Sequence, residues 1–224
     1  RMPRLVDVER DLGAAMREQF PVVIGGGSVG MAIADMPARV GVGRLLVVDP
    51  ARLKPTSVLT HPCRPEDLGR SKAIVAAERA KAVCPGARVF AFDGTFEELP
   101  TYVLAEATHL LLASDNLRCE ASVSQRALHL GIPVIQGSVY GPALSAQLRS
   151  MASHERGEGP CLCCFFGQRE WEDMDRGTVF RAQAGPRPPE RLRNTRPSRP
   201  RACLTCAASL QTWFARSSPG GFWG

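Results

Sequence analysis

The sequence lacks any apolar run that approaches the roughly 20 residues needed to cross a bilayer. Its opening residues, RMPRLVDVERDL, are charged and lack the apolar centre of a signal peptide. Residues 151–224 show neither an internal repeat nor a second apolar core. These absences argue against a membrane protein and against a repeat architecture, and they lead us to expect a cytoplasmic protein without membrane contacts.

Aromatic residues are scarce, at 6% of the chain, and none lies where positive charge is densest. The formal net charge is +6, and residues 181–201 hold seven arginines with a single acid, Glu190. Prolines in the same segment predict an extended loop, which offers neither aromatic stacking nor a groove-reading helix. We therefore expect no nucleic-acid binding. We interpret the loop as solvated, and the alternative is that it forms a binding surface for an acidic protein partner.

The remaining pattern is that of an α/β domain. Short apolar runs predict buried strands at 22–24 and 45–48, and three further strands are predicted at 88–92, 109–113 and 133–136. Helical patterns cover 6–20, 29–40, 71–83, 120–130 and 203–214, with Ser71 as the cap of the third. This alternation predicts a Rossmann-like, mostly parallel sheet with helices on both faces.

A glycine-rich turn lies between the first predicted strand and its helix. Residues Gly25 to Gly30 read GGGSVG and fit G-x-G-x-x-G in the strand-turn-helix context that the motif requires. Gly25 allows the tight turn, Gly27 lets the backbone approach phosphate, and Gly30 permits close helix packing. With Ser28 at the helix start, this turn predicts a phosphate site for ATP or a dinucleotide.

Four polar residues are expected at the carboxyl edge of the sheet, where ligands bind in parallel sheets. Asp49 follows the second strand, where a carboxylate can accept both ribose hydroxyls or simply cap a loop. Lys72 begins a helix, and Asp115 and Asn116 follow the fourth strand. A lysine that neutralises phosphate charge and a carboxylate that holds magnesium are what nucleotidyl transfer requires, although each alone is more often a solvated charge or a cap.

The cysteine spacing predicts a structural zinc site. Eight cysteines in a cytosolic chain argue against a disulfide scaffold. The two CxxC pairs, Cys161 with Cys164 and Cys203 with Cys206, supply four thiolates for a closed tetrahedral site. Cys163 is an alternative ligand, and the second pair is alternatively two small residues on an apolar helix. We predict a nucleotide-binding domain over 1–150 and a zinc-stapled extension over 151–224 that packs on it.

Together these stretches resemble the ThiF/MoeB/HesA family, the bacterial relatives of ubiquitin-activating enzymes. The matching segments include VVIGGGSVG, GVGRLLVVDP, LGRSKAIVAAERAKAVCPGARV and ASDNLRCEASVSQRALHLGIPVIQGSVYG, in the family's order. The resemblance implies an ATP- and Mg²⁺-dependent adenylyltransferase. Its substrate would be the C-terminal glycine carboxylate of a small ubiquitin-like or sulfur-carrier protein ending in Gly-Gly, and its state a homodimer.

The resemblance also implies residue roles and one departure. The glycines would cradle ATP, Asp49 would hold the ribose, Lys72 would contact phosphates, Asp115 would bind Mg²⁺ and the four paired cysteines Zn²⁺. Family members normally carry an asparagine and an arginine where this chain has Ser57 and Thr60. Losing such a charged phosphate contact costs about 2–4 kcal/mol of transition-state stabilisation, so catalytic competence is in question.

Three further observations bear on the function. No cysteine lies between Cys164 and Cys203, so we predict adenylation without covalent capture, unless Cys163, Cys84 or Cys119 is recruited. A nicotinamide-dependent oxidoreductase is an alternative, weakened because none of the four histidines lies in a recognisable hydride-transfer motif. A binding-only module that docks a partner through the arginine-rich loop is a second alternative.

Overall fold

A computed structural model describes residues 13–140, 145–152 and 160–175 of the chain. Its centre is a six-stranded sheet of order β3-β2-β1-β4-β5-β6. The strands are β1 Pro21–Ile24, β2 Arg44–Val48, β3 Arg88–Phe92, β4 His109–Leu112, β5 Val134–Tyr140 and β6 Ser145–Met151. The first five strands are parallel to one another, whereas β6 is antiparallel to β5. The predicted mostly parallel sheet is confirmed.

The named helices lie between and after the strands. They are α1 Ser28–Arg39, α2 Lys72–Val83, α3 Thr101–Leu104, α4 Leu117–Leu130 and α5 Gln168–Asp175. Residues 13–17 are also helical, and short 3-10 turns occupy Pro55–Leu59, Pro65–Asp67 and Leu162–Phe165. Within the described part of the chain, no helix has the length and apolar character needed to cross a membrane.

Helices cover both faces of the sheet, as predicted. On one face α1 and α2 pack on Val23, Leu45 and Val47 to form one apolar cluster. On the other face α4 packs on neighbouring side chains of the same strands, including Val22 and Ile24, to form a second cluster. Because β1 is central and covered on both faces, it reads as a continuous apolar run rather than an alternating one.

Element boundaries differ from the predictions in several places. The described part of the predicted helix 6–20 is helical only over residues 13–17, and α4 begins three residues before the predicted 120. Strand β5 continues to Tyr140, beyond the predicted end at 136. The pattern analysis missed β6, α3 and α5. The predicted helix 203–214 lies outside the described residues.

Ser71 does not cap α2 in the predicted way. It occupies the N-cap position, but its side chain makes no capping hydrogen bond. The side chain is 2% exposed, and its Oγ has no hydrogen-bond partner. The backbone of Ser71 instead forms an isolated antiparallel bridge with Arg52. Ser71 therefore joins the long connection after β2 to the start of α2 through its main chain.

The segments after β5 return to the core of the sheet. Strand β6 ends at Met151, which is buried in the same cluster as Val134 of β5. Leu162 and Met174 belong to that cluster as well. The described part of residues 151–224 thus packs on the α4 face. The division into a domain over 1–150 and an extension over 151–224 stays a prediction.

Candidate functional site

The turn between β1 and α1 passes very close to the end of β4. Gly25 has a φ of 97° and donates its N–H to the Val48 carbonyl at 2.9 Å. A Cβ at Gly25 would lie 2.9 Å from the Ala113 carbonyl oxygen, and one at Gly30 would lie 1.6 Å from the Gly25 carbonyl oxygen. Only glycine fits these two positions without displacing backbone. We call residues Gly25 to Gly30 the glycine cradle.

Asp49 and Lys72 both lie beside the cradle at Gly26. The N–H of Gly26 donates to Oδ2 of Asp49 at 2.6 Å. A Cβ at Gly26 would lie 3.2 Å from the Cβ atoms of Asp49 and Lys72 alike. The structure therefore brings together three features that the sequence pattern singled out separately: a glycine turn, a carboxylate and a lysine.

Both oxygens of the Asp49 carboxylate accept a hydrogen bond from the backbone, and each can accept another. Its Oδ1 accepts the N–H of Ala51 at 2.6 Å, while Oδ2 accepts that of Gly26. The residue is 8% exposed. Because each carboxylate oxygen can accept more than one hydrogen bond, both the loop-stapling role and a role toward ribose hydroxyls are compatible with this geometry.

Backbone hydrogen bonds fix the start of α2 beside the cradle. The N–H of Lys72 donates to the Ala51 carbonyl at 2.9 Å, two residues beyond Asp49. The N–H of Leu53 donates to the Arg70 carbonyl at 2.9 Å. The connection after β2 and the start of α2 are thus paired along their length, so the position of Lys72 follows from that of Asp49.

On the other side of the cradle, Asp115 and Asn116 follow β4. The side chain of Asn116 caps α4, since its Oδ1 accepts the N–H groups of Arg118 at 2.9 Å and Cys119 at 3.3 Å. Asp115 is exposed. The sheet order places β1 between β2 and β4, so Lys72 and Asp115 flank the cradle from opposite sides at the topological switch point.

The space in front of the cradle is open at Gly27. Gly27 is the N-cap of α1, with Ser28 as the first helical residue, and a Cβ at Gly27 would meet no atom within 4 Å. The first N–H groups of an α-helix have no partner within the helix and carry partial positive charge. An anionic ligand therefore has both room and donors at this end of α1.

Ser57 lies in the 3-10 turn of the connection after β2. It is 5% exposed, and its Oγ accepts the N–H of Lys54 at 3.0 Å. Its carbonyl accepts the N–H groups of Thr60 at 3.0 Å and His61 at 2.7 Å. Ser57 thus shapes the turn that carries Thr60 and His61, while a role toward nucleotide stays a prediction.

His61 is a residue of this site that the sequence pattern did not single out. Its Nδ1 lies 2.9 Å from Oγ1 of Thr60, and its Nε2 is buried without a hydrogen-bond partner. Burial lowers the pKa of His61, and the charge of Lys72 lowers it further, whereas the Ser57 carbonyl and Asp49 oppose the shift. No sequence motif marks such a residue, because its placement depends on the folded connection.

Glu120 and Arg149 form a second polar group that pattern reading missed. Glu120 is 5% exposed on α4, and its Oε2 lies 3.6 Å from Nη1 of Arg149 on β6. Burial raises the pKa of Glu120 to about 7, and Asp115 and Glu170 raise it further, while Arg149 and a hydrogen bond from Gln136 oppose the rise. The cluster ties the start of α4 to the edge strand.

The described half of the predicted zinc set has its sulfurs close together. The Sγ atoms of Cys161 and Cys164 are 3.6 Å apart. Cys161 and Cys163 are both 1% exposed and both belong to the core cluster, so burial does not decide between them as ligands. Cys203 and Cys206 lie outside the described residues. Within the described residues, no three histidine, cysteine or acidic side chains are grouped to hold a metal.

The cysteines named as alternatives for covalent capture differ in burial. Burial raises the pKa of the Cys119 thiol to about 12, and nearby acidic residues add to the rise. Because the thiolate is the nucleophilic form, Cys119 is unreactive at neutral pH. Cys84 is half-buried at the end of α2, where it packs against the apolar cluster on the α1 and α2 face of the sheet.

The fold is that of a Rossmann-like α/β protein, and its glycine cradle lies at the switch point between β1 and β4, where open parallel sheets bind ligands. The sequence profile of the ThiF family matches residues 3–191. The chain therefore belongs to the ThiF family, and the resemblance found in its motifs is confirmed.

Curated relatives share about a quarter to a third of the aligned residues. The sulfur carrier protein adenylyltransferase of Thermus thermophilus is 30% identical over 152 residues, which is 65% of this chain and 54% of that protein. The SAMP-activating enzyme E1 of Haloferax volcanii is 26% identical over 147 residues, 65% of this chain and 52% of that protein. Ubiquitin-like modifier-activating enzyme 5 of Dictyostelium discoideum is 24% identical over 162 residues, which is 66% of this chain and 42% of that protein.

The chain thus spans about half the length of the curated relatives it matches. A solved structure with the same fold is E. coli tRNA N6-threonylcarbamoyladenosine dehydratase, with a TM-score of 0.55 and 24% identity. The superposition covers 58% of this chain and 56% of that one. The likeness supports the fold assignment alone.

Proposed function

We propose that this chain adenylates the C-terminal glycine carboxylate of a small ubiquitin-like or sulfur-carrier protein, with ATP as the other substrate. The observation that carries the proposal is the contact at Gly26. There Asp49 accepts the N–H of Gly26, and the Cβ of Lys72 lies 3.2 Å from the position that a Cβ at Gly26 would take. This proximity supports one crevice with a phosphate site, a ribose acceptor and a phosphate-neutralising cation. Further support comes from the similarity to a sulfur carrier protein adenylyltransferase and to a ubiquitin-like modifier-activating enzyme.

Each residue of the crevice has a role that its geometry supports. The cradle, through Gly25, Gly27, Ser28 and Gly30, would hold phosphates at the N-terminus of α1. The remaining lone pairs of Asp49 would accept the ribose hydroxyls. Ser57 and Asn116 would support the site by holding the connection after β2 and the start of α4 in place.

Asp115 would hold the magnesium ion. It is exposed after β4, and oxygen ligands are those that Mg²⁺ prefers. The ion would neutralise phosphate charge when bound. Lys72 would hold the same phosphates from the opposite side, so that the leaving pyrophosphate faces fixed positive charge.

The chemistry needs positioning more than proton transfer. A carboxylate oxygen of the partner's terminal glycine would attack the α-phosphorus in line, forming an acyl-adenylate and expelling pyrophosphate. The carboxylate is already ionised at neutral pH and the leaving group is a stabilised anion. No general acid or base is therefore required from this chain.

A structural zinc ion would staple the extension to the domain. Tetrahedral thiolates about 2.3 Å from zinc lie about 3.8 Å apart, close to the 3.6 Å between the sulfurs of Cys161 and Cys164. Cys203 and Cys206 would complete the set. The homodimeric state and the cytoplasmic location remain predictions from the resemblance and the composition.

Pyrophosphate exchange into ATP tests the proposed activity. With Mg²⁺ and a Gly-Gly-ended carrier encoded beside this chain, we expect carrier-dependent exchange. Lys72→Ala should reduce it by about a hundredfold or more, because one charged contact to phosphate is lost. Lys81→Ala is the matched control: it removes a lysine from the same helix, one that donates to the Pro85 and Ala87 carbonyls instead.

Three results would count against this proposal. Exchange that is absent with every candidate carrier, or unaffected by Lys72→Ala, contradicts the adenylating activity. Calorimetric binding of NAD without binding of ATP would favour the oxidoreductase alternative. Carrier binding without turnover of ATP would favour a binding-only module.

A further inference from the structure

Strands β5 and β6 form a two-stranded arm at one edge of the sheet. The last pair between β4 and β5 joins Leu112 to Gln136, whereas β5 and β6 stay paired as far as Tyr140 and Ser145. The arm therefore extends past the carboxyl end of β4. Because successive side chains of a strand point to opposite faces, the arm has two faces, and their surroundings differ.

One face of the arm is covered and the other is open. Val134 and Met151 face the core beneath α4 and are buried there. The opposite face lies on the α1 side of the sheet, since a Cβ at Gly137 would lie 4.0 Å from Cδ1 of Ile33. We call it the open face. It consists of three cross-strand pairs: Ile135 with Ser150, Gly137 with Leu148 and Val139 with Ala146.

The open face presents large apolar side chains to solvent. Leu148 is 75% exposed, Val139 is 64% exposed and Ile135 is 41% exposed. Both Val139 and Ile135 are diagonal neighbours of Leu148 across the strand pair, within reach of its side chain. Exposed apolar residues are ordinary when they occur singly, but a contiguous group on an edge arm marks an interaction surface or an aggregation hazard.

The charge of the open face selects the partner. None of its six residues is ionisable, whereas the whole chain has a formal net charge of +6. A strongly charged partner would find no opposite charge on this face. Two copies of the chain repel each other through their net charge, and an uncharged apolar face is where they can meet at the least electrostatic cost. The open face is therefore suited to contact with itself.

We propose that two copies of this chain associate through the open face, with Val139 and Leu148 at the centre of a two-fold symmetric interface. A two-fold axis brings the same patch of both copies together, and the two arms would pack face to face about 10 Å apart, as stacked sheets do. Because the arm extends past the end of β4, this interface would border the carboxyl edge of the sheet. The proposal does not depend on the proposed activity, which pyrophosphate exchange tests separately.

Sedimentation equilibrium of the full chain tests the association. A face of about 17 Å by 10 Å is smaller than a standard interface and predicts a micromolar dissociation constant, so dimers should form below about 100 µM. Leu148→Glu should weaken the dimer by about thirtyfold or more, because it places a charge at the centre of the contact on each copy. The control is Tyr102→Glu, which adds the same charge on α3 at a side chain that is 74% exposed.

Two sedimentation results would overturn the proposal. One is an unmodified chain that stays monomeric at about 100 µM, where a micromolar dimer would be populated. The other is a dimer that Leu148→Glu leaves intact or that Tyr102→Glu disrupts equally.

Salt dependence tests the apolar character of the contact. Raising the NaCl concentration from about 0.1 M to 0.5 M should strengthen the dimer, because salt screens the repulsion between the two positively charged copies. A dimer that dissociates as salt is added would rest on ion pairs, and the open face has none to offer.

Methyl NMR of the unmodified chain locates the contact even if Leu148→Glu fails to fold. The methyl resonances of Val139 and Leu148 should shift as the chain is concentrated. Those of Val40, which is 58% exposed at the end of α1, should not. Resonances of the open face that respond to a Gly-Gly-ended carrier but not to the concentration of the chain would assign the face to the carrier and contradict the proposal.

Discussion

Two glycines in the turn after β1 are required by the backbone that surrounds them. Gly25 has a positive φ and faces the carbonyl of Ala113, and the Cα of Gly30 faces the carbonyl of Gly25. The helix consequently starts in contact with the strand end, which points its first N–H groups into the crevice. The proposed phosphate site thus depends on two close backbone contacts at positions that have no side chain.

We predict that Gly30→Ala destabilises the fold while Gly27→Ala does not. A Cβ at position 30 would lie 1.6 Å from a carbonyl oxygen, so the backbone must shift, at a cost of about 2–3 kcal/mol or more. A Cβ at position 27 meets nothing within 4 Å, and its φ of −74° suits alanine. Urea unfolding measures both, and equal stability of the two variants would contradict the close contact.

Residue patterns predicted part of the site because the relevant chemistry is local. The spacing of the cradle and of Asp49 follows from one strand-turn-helix-strand unit, which a sequence displays directly. His61 and Glu120 escaped notice because the burial of the His61 Nε2 atom and of the Glu120 side chain arises only in the folded chain. Polar residues of these types are mostly exposed, so nothing in the sequence marks them as buried.

At the scale of elements, strands β1 to β4 were predicted to within one residue, whereas the edge strand β6 was missed. Strands β1 to β4 are short runs rich in apolar residues, and they pair in parallel. Strand β6, SAQLRSM, is an edge strand with polar residues on it and with Leu148 75% exposed, so no apolar run reveals it. Helix α5, QREWEDMD, is short and largely charged.

The buried Glu120 on α4, which lies beside Arg149 on β6, leads us to predict that the stability of the fold depends on pH. The pKa of Glu120 is raised in the folded chain to about 7, from 4.5 when unfolded. The folded state therefore binds the proton more tightly, and this contribution to stability is present below pH 4.5 and lost as the pH rises through 7. The substitution Glu120→Gln should remove this loss of stability at high pH.

Relative to the unmodified chain, Glu120→Gln should gain about 3 kcal/mol in unfolding free energy between pH 4.5 and pH 8. Chemical unfolding across this range measures the difference. The groups that face Glu120 are Arg149 on β6, Gln136 on β5, Asp115 after β4 and Glu170 on α5. Glu66→Gln, at an exposed glutamate, is the control. A pH-independent difference for Glu120→Gln would show that its carboxyl titrates normally.

At the scale of the whole molecule, the sheet order brings together residues that are far apart in sequence. Asp49 and Lys72 come from the β2 side of the cradle, and Asp115 comes from the β4 side. The described part of the chain after β5 packs on the α4 face of the sheet. A partner's extended C-terminus would reach the nucleotide from the carboxyl edge of the sheet.

A crystal structure of the chain with Mg²⁺ and a non-hydrolysable ATP analogue tests the central claim most directly. The account predicts phosphates on the residues Gly25 to Gly30, with Lys72 and Asp115 on opposite sides of them. Phosphates bound elsewhere, for example in the groove between α1 and α2 that is lined by arginines such as Arg39 and Arg79, would contradict it.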